Sequence, residues 1–215
     1  MSEYLFRGKN ICVTGGLGSI GSEIGRGILK FNPEKVVVVD NRETEIFYSK
    51  MYSPSPIIKY EVADVRNYDS IEHIFKNIDI VFHCAAMKHV TICEDVPIEA
   101  INTNVIGTKN VIDACINNKV DKMIFISTDK AANPINVMGA TKLLAEKTVM
   151  AIAAKKKDIR TKFGIVRFGN VLYSRGSVLE IWNRQLLEGS PINLTDGEMT
   201  RFFMSIPECV NLIFT

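Results

Sequence analysis

The stretch Ile11-Cys12-Val13-Thr14-Gly15-Gly16-Leu17-Gly18-Ser19-Ile20-Gly21 runs from a short apolar, β-branched segment straight into a cluster of glycines. Gly16, Gly18 and Gly21 fit one spacing, G-x-G-x-x-G, and Gly15, Gly18 and Gly21 fit another, G-x-x-G-x-x-G. Glycines let the chain turn tightly and let a pyrophosphate approach the start of the following helix. Free backbone N–H groups and the helix dipole favour negative charge there. Gly15, Gly18, Ser19, Ile20 and Gly21 are therefore the candidate phosphate-binding residues. A plain tight turn is the alternative reading. The context favours a dinucleotide loop: a strand precedes it, a helix follows, and Asp40 closes the next apolar run.

Outward from this loop, short β-branched runs alternate with longer helical patterns, the mark of βαβ units on a parallel sheet. Strands are expected at 11–14, 36–40, 57–62, 78–84, 122–127 and 162–168, and helices at roughly 19–31, 43–51, 68–77, 97–118 and 136–156. Val36-Val37-Val38-Val39 is continuously apolar, as in a strand covered on both faces. The expected fold class is α/β: a Rossmann-like, doubly wound parallel sheet over residues 1–168. Residues 169–215 form a small, incomplete substrate-binding region.

Bulk properties narrow the function. Apolar residues make up 47% of the 215, enough for a sizeable core. A net charge of +2 gives no argument for nucleic acid or an anionic membrane as partner. Lys155-Lys156-Lys157 reads as a solvated helix end. The five cysteines are scattered and never spaced C-x-x-C, which points to reduced thiols in a cytoplasmic protein rather than a disulfide frame or zinc site. No apolar run reaches the ~18 residues of a membrane span, so no membrane contact is expected within this chain. His83 and His89 lack partners at metal-ligand spacing, and no metal is expected.

The cofactor reading rests on strand ends. Asp40 is placed to accept from ribose hydroxyls, which favours NAD over NADP. Arg42 complicates this, because a guanidinium there would pair with a 2′-phosphate. The reading is NAD(P), with NAD favoured. Asp64 and Val65, after the third strand, are candidates for the adenine, with a turn or N-cap role for Asp64 as the alternative. Ala85 and Ala86 follow the fourth strand, where small residues let a cofactor pass close by. Lys88 is a candidate for a substrate phosphate.

Several runs together carry a resemblance: Thr14 to Gly21, Ala85-Ala-Met-Lys-His-Val90, Asn104-Val-Ile-Gly-Thr108 and Ser127-Thr-Asp-Lys-Ala-Ala-Asn-Pro134, then Val166-Arg-Phe-Gly-Asn-Val171, Ser174-Arg-Gly-Ser177 and Glu198-Met-Thr-Arg-Phe202. The chain resembles extended short-chain dehydrogenase/reductases, and within them the CapD-like polysaccharide-biosynthesis group, the UDP-N-acetylglucosamine 4,6-dehydratases. The resemblance covers almost the whole chain. It implies a UDP-sugar substrate converted to its 4-keto-6-deoxy form: hydride leaves C4 for NAD(P), C5 loses a proton, C6 loses water, and the hydride returns to C6. Family members continue well beyond the point where this sequence ends, so a fragment or a truncation is expected.

Most of that superfamily places a tyrosine four residues before a lysine, one helical turn away on the same face. Here Lys142 is present and Met138 stands in the tyrosine position. A thioether cannot take the proton of a hydroxyl being oxidised. The same departure marks one branch of the dehydratases, and that branch implies retention at C5. The proton work then falls to Asp129 and Lys130. Asp129 is assigned the C4 or C6 hydroxyl, and Lys130 the C5 proton. A lysine base must be neutral, which desolvation or nearby positive charge favours. Thr128 would hold the sugar 4-oxygen, and Lys142 would orient the nicotinamide ribose. Taken one at a time, Asp129-Lys130 reads as a solvated ion pair, Met138 as core filler and Lys142 as an exposed helix lysine; their joint spacing argues otherwise.

Asn104 matches the family's helix asparagine at a local bend near the lysine, and is grouped with the substrate-side residues. Asn170, Arg175 and Arg201 are the candidates for the nucleotide diphosphate and base, since arginine suits phosphate. Arg167 reads as structural, Trp182 as core, and 206–215 as the start of an amphipathic helix. Helices 97–118 and 136–156 would serve a homo-oligomer interface, as is common in the superfamily, or a monomer core. The alternatives to a dehydratase are a UDP-sugar 4-epimerase and a dinucleotide-binding module without turnover.

Overall fold

Strand and helix alternate along the chain as the β-branched runs dictate. The computed structural model describes residues 3–155, 158–194 and 196–214. Its elements are α1 (Glu3–Phe6), β1 (Asn10–Thr14), α2 (Ser19–Ile28), β2 (Lys35–Asp40), α3 (Glu43–Tyr52), β3 (Ile58–Val62), α4 (Tyr68–Glu72), β4 (Ile80–His83), α5 (Val90–Asp95), α6 (Pro97–Ile101), α7 (Gly107–Asn117), β5 (Lys122–Thr128), α8 (Val137–Lys155), β6 (Lys162–Phe168), β7 (Asn170–Val171), α9 (Val178–Leu187), β8 (Phe203–Met204) and α10 (Ile206–Phe214). Part of the lysine run at 155–157, and the last residue of the helix expected at 136–156, lie outside the described residues.

Six strands pair in the order β3-β2-β1-β4-β5-β6, all parallel. The order reverses between β1 and β4, the switch point outside which ligands bind in doubly wound sheets. Both faces are covered, and the period-two alternation of each strand divides the core between them. On one face Cys12, Val37, Val39, Val81, Met123 and Phe125 pack against Ile71 of α4, Val111 and Ile112 of α7, and Ala145 and Val149 of α8. On the other, Ile11, Val13, Val36, Val38, Ile80 and Phe82 meet Ile24 and Ile28 of α2, and Val210 and Phe214 of α10. Each fully buried large side chain, such as Phe82 or Phe125, contributes ~1.5–3 kcal/mol.

α10 belongs to the region grouped with substrate binding, yet it packs on α2. Phe214 joins Phe6 and Phe31 in an aromatic cluster with ring centroids 5.4–5.5 Å apart. Several elements differ from the sequence expectation. The helix expected at 97–118 is broken at Asn102–Ile106 by a single π turn, because the Asn104 side chain is drawn onto the backbone of Met87. The helix expected at 19–31 ends at Ile28, and a 3-10 turn closes on Asn32 in the left-handed region (φ 51°). α5 and the β7–β8 pair are additional. Trp182 is half-buried on α9, outside every core cluster, its indole N–H donating to the Asn193 carbonyl (2.9 Å).

Apolar side chains stay exposed around α9 and the segment after it, including Leu187 (81%) and Phe202 (82%). All five cysteines are unpaired. Among the described residues, no helix is long and apolar enough to cross a membrane, and no group of three His, Cys, Asp or Glu could hold a metal ion.

Candidate active site

The carboxyl ends of the strands open onto a cleft of about 740 Å³. Its floor is the glycine loop. Gly15 has φ +63°, and a Cβ there would sit 2.6 Å from the Ala85 backbone nitrogen; at Gly21 it would collide with the Gly15 carbonyl oxygen. Only bare backbone fits. Gly18 N–H donates to the Gly15 carbonyl (3.0 Å) and Gly16 N–H to that of Val39 (3.1 Å). Gly18 is the N-cap of α2 and supplies no capping side chain, so the helix start keeps its N–H groups for a ligand. This cradle fits a dinucleotide pyrophosphate. Gly15, Gly18, Ser19, Ile20 and Gly21 all line the cleft. The Ser19 hydroxyl accepts the backbone N–H of Arg175 (2.9 Å).

Asp40, Arg42, Asp64 and Val65 line one end of the cleft. Asp40 is not the free acceptor that the sequence suggests. Arg42 grips it in a fork, Nε to Oδ1 at 2.8 Å and Nη2 to Oδ2 at 2.9 Å. The backbone N–H groups of Leu17 (3.1 Å) and Arg42 (3.2 Å) complete the set. Burial pushes the Asp40 carboxyl up, but the Arg42 guanidinium and these N–H groups outweigh it and hold the group below the usual carboxylate range. Asp64 repeats the arrangement with Arg66, Nε at 2.9 Å and Nη2 at 2.6 Å from Oδ2, and is likewise net lowered against the push of burial. Arg66 lines the cleft but is absent from the sequence candidates. A signal exists: Asp64-x-Arg66 after β3 repeats Asp40-x-Arg42 after β2.

Beyond β4, Ala85, Ala86 and Lys88 line the cleft. Lys88 Nζ donates to the Arg175 carbonyl (2.6 Å). With the Ser19 bond, this draws the loop around Arg175 across the cleft mouth. Burial, ahead of the charge of Arg175, lowers the Lys88 pKa. Asn104 does not face the cleft. It is buried, its Oδ1 accepting Met87 N–H (2.8 Å) and its amide donating to the Met87 carbonyl (3.0 Å) and Thr141 Oγ1 (2.9 Å). With those bonds made it positions the 87–90 loop against α8; the sequence grouping with substrate residues is corrected accordingly.

His83 links the same turn to the glycine loop. Thr108 Oγ1 spends its one proton on the Asn104 carbonyl (2.6 Å), so His83 Nε2, 3.0 Å away, must donate to it. Nδ1 is then bare and accepts from Thr14 Oγ1 (2.7 Å). Full burial, then the charge of Lys142, pushes the His83 pKa down to about 3. Its unfolded value is ~6.5. A depressed folded pKa means this contribution to stability is complete above pH 6.5 and declines as pH falls toward 3. Imidazole NMR should show His83 neutral, with the proton on Nε2, down to about pH 4; a titration near 6.5 would contradict the buried network.

The end of β5 forms the opposite wall. Thr128 Oγ1 donates to Asp129 Oδ1 (3.0 Å), and Lys130 Nζ lies 3.1 Å from Asp129 Oδ1 and 2.7 Å from Asn170 Oδ1. Asp129 and Lys130 side chains are 32% and 30% exposed. Thr128, Lys130, Met138, Lys142, Asn170 and Arg175 line the main cleft, with Ser127, which the sequence reading passed over. Asp129 instead lines a second cleft of about 390 Å³ with Asn136, Arg201 and Phe202, and Lys130 lines both. Arg201 donates to its neighbour's carbonyl, Thr200 (2.7 Å), and stands in this second cleft only.

Met138 is buried in an apolar cluster with Cys93 and Ala100 while its edge lines the cleft. Lys142 is buried, its Nζ donating to the Ile126 carbonyl (2.8 Å) and lying 4.6 Å from the Phe125 ring centroid. Burial lowers its pKa to about 8. One turn on, Glu146 is buried in a two-point pair with Arg167 (2.9 and 2.6 Å), so Arg167 is structural, as expected.

Residues 11–215 match the model of a family described as polysaccharide biosynthesis protein. The chain is 49% identical over 208 residues to an uncharacterized membrane protein of Methanocaldococcus jannaschii, covering 97% of this chain and 62% of that one. It is 41% identical to a UDP-glucose 4-epimerase of Rickettsia rickettsii (97% and 62%) and 39% identical to an inverting UDP-N-acetylglucosamine 4,6-dehydratase of Campylobacter jejuni (98% and 64%). Thus the chain spans a little under two thirds of the length of these relatives. The X-ray structure of Pen from Bacillus thuringiensis superposes with a TM-score of 0.94 at 42% identity, covering 96% of this chain and 64% of that one. MoeE5 in complex with UDP-glucose and NAD gives 0.81 at 26% (94% and 69%). With the family model matched over nearly the whole sequence, the chain belongs to the CapD-like polysaccharide biosynthesis protein family.

Proposed function

We propose that this chain is the catalytic part of a nucleotide-sugar 4,6-dehydratase, acting on UDP-N-acetylglucosamine or a close UDP-sugar with NAD(P) recycled in place. The observation that carries the reading is the hydrogen-bonded group Thr128, Asp129, Lys130 and Asn170 on the wall between two clefts, with apolar Met138 where a phenol would otherwise stand. When bound, NAD(P) supplies a reversible hydride acceptor. Residues 1–168 hold it through the glycine loop, the Asp40 and Asp64 end, Val65, Ala85 and Ala86. Residues 169–215 contribute Asn170, Arg175 and Arg201 toward the UDP moiety, with Lys88 on the facing loop.

In this reading Thr128 holds the sugar 4-oxygen and Asp129 handles the C4 or C6 hydroxyl proton. Lys130 takes the proton from C5, with Asn170 and Asp129 fixing the direction of its lone pair. Lys142, whose amine is anchored on Ile126 and Phe125, orients the ribose and adds positive charge nearby. The names of similar proteins support both dehydration and 4-epimerisation. Met138 cannot carry the C4 hydroxyl proton in either reaction, so that task falls to Asp129 in both; dehydration is preferred because it alone also gives Lys130 a proton to take, the one on C5.

Incubation of the chain with NAD and UDP-N-acetylglucosamine, read by NMR, separates the readings. A 4-keto-6-deoxy sugar is expected, and its C5 configuration is read from the same spectrum. A C4 isomer would replace the proposal with epimerisation. Binding of NAD without any product would reduce it to a nucleotide-binding module.

A further inference from the structure

Resting on the reading that Lys142 serves the cleft, we infer that Arg167, beyond tying β6 to α8, is a positioning residue: it holds the Glu146 carboxylate away from Lys142 and so leaves that amine free for its work. Residues four apart on a helix are neighbours, and an amine and a carboxylate at that spacing ordinarily pair. Lys142 and Glu146 stand at that spacing on α8, and both are buried. Their side chains nevertheless part. The amine turns to β5, where Nζ donates to the Ile126 carbonyl (2.8 Å). The carboxylate turns to β6, where Arg167 takes both of its oxygens, Nε to Oε1 at 2.9 Å and Nη2 to Oε2 at 2.6 Å.

Arg167 reaches the carboxylate from the strand beside Ser127, its partner in the β5–β6 register, and its own side chain is 45% exposed. Water therefore screens much of the guanidinium charge, and its chief effect inside is to fix where the carboxylate points. Burial pushes the Glu146 carboxyl up, but Arg167 and Ser127 outweigh it and hold the group below the usual carboxylate range, so it is an anion at neutral pH. The other titratable groups facing Lys142 carry no charge there. Burial pushes the Cys84 thiol up to about 12 and His83 down to about 3. Among the described residues, Glu146 is thus the charge that Lys142 meets. A buried carboxylate stripped of its partner takes the nearest cation, and without Arg167 that cation is Lys142. The amine would then be drawn off the Ile126 carbonyl and its charge cancelled.

NMR of the full chain carrying 13C-labelled lysine reads the Lys142 amine directly, with its signal assigned by its loss in Lys142→Met and with no need of turnover. Burial lowers the wild-type pKa to about 8. Arg167→Met should raise it, because Glu146 turns to the amine. Glu146→Gln should lower it, because the facing anion is gone. The double variant should follow Glu146→Gln. Arg167→Lys, which keeps a cation for Glu146, should shift it upward by less than Arg167→Met, and serves if the methionine variant folds poorly. In the product assay, Arg167→Met should lose about tenfold in turnover, and adding Glu146→Gln should restore most of it. A pair that only ties strand to helix would shift Lys142 in the same direction in both single variants, or not at all; either result overturns the inference and leaves the dehydratase reading intact. Opposite shifts in a protein that forms no 4-keto-6-deoxy sugar would support the inference and overturn the dehydratase reading alone.

Discussion

Lys130→Ala is expected to lower 4-keto-6-deoxy product formation by ~10²–10⁴-fold, the range of a lost general base, while NAD(P) affinity stays nearly unchanged. The Lys130 side-chain nitrogen is directed at Asp129 and Asn170 on the wall between the clefts rather than at the glycine loop. With both partners part-exposed, losing the ion pair should cost less than ~1 kcal/mol of stability. Lys130→Arg separates charge from base chemistry. It keeps a cation beside Asp129 but does not release a proton near neutral pH, and should be as inactive as the alanine variant. Turnover at the wild-type rate in either variant would remove Lys130 from its assigned role.

Gly15→Ala should abolish dinucleotide binding and cut fold stability together. The left-handed backbone alone costs a side-chain-bearing residue ~1–3 kcal/mol. The added Cβ would also lie 2.6 and 2.7 Å from the Ala85 backbone nitrogen and Cα and 2.9 Å from the Cys84 carbonyl carbon, all backbone, so the chain after β4 must move. Gly8→Ala is the control: φ is +65° there too, but nothing lies within 4 Å. Chemical denaturation should show a small loss for Gly8→Ala and a larger one for Gly15→Ala, with binding lost only in the latter. Equal losses in the two would mean that the close approach of β1 and β4 does not matter.

Much of this architecture is legible in residue patterns. Val36–Val39 reads as a doubly covered strand because both faces of a parallel sheet are buried, and the glycine loop reads as a cradle because its position after β1 is local information. The π turn at Asn102–Ile106 is not local. It forms because Asn104 reaches the Met87 backbone and Thr141, partners that a helical period does not reveal. Asp40 and Arg42 are readable as residues but not as a pair: whether the guanidinium folds back onto the carboxylate is a matter of rotamer and packing. The adjacency of Asp129 and Lys130 is legible, but their division between two clefts depends on Thr200–Phe202 returning beside Gly169–Val171. Trp182 reads as core by composition and ends half-buried, because α9 turns an apolar face outward.

The claim at the centre is that Lys130, an amine beside the Asp129 carboxylate, moves the C5 proton. The direct measurement is deuterium at C5 when the reaction runs in heavy water, read by NMR. The wild type and Met138→Leu, which replaces one apolar filler by another, should both yield product deuterated at C5. Lys130→Ala should show no C5 deuterium in product or recovered substrate. C5 labelling by Lys130→Ala at the wild-type rate would contradict the account.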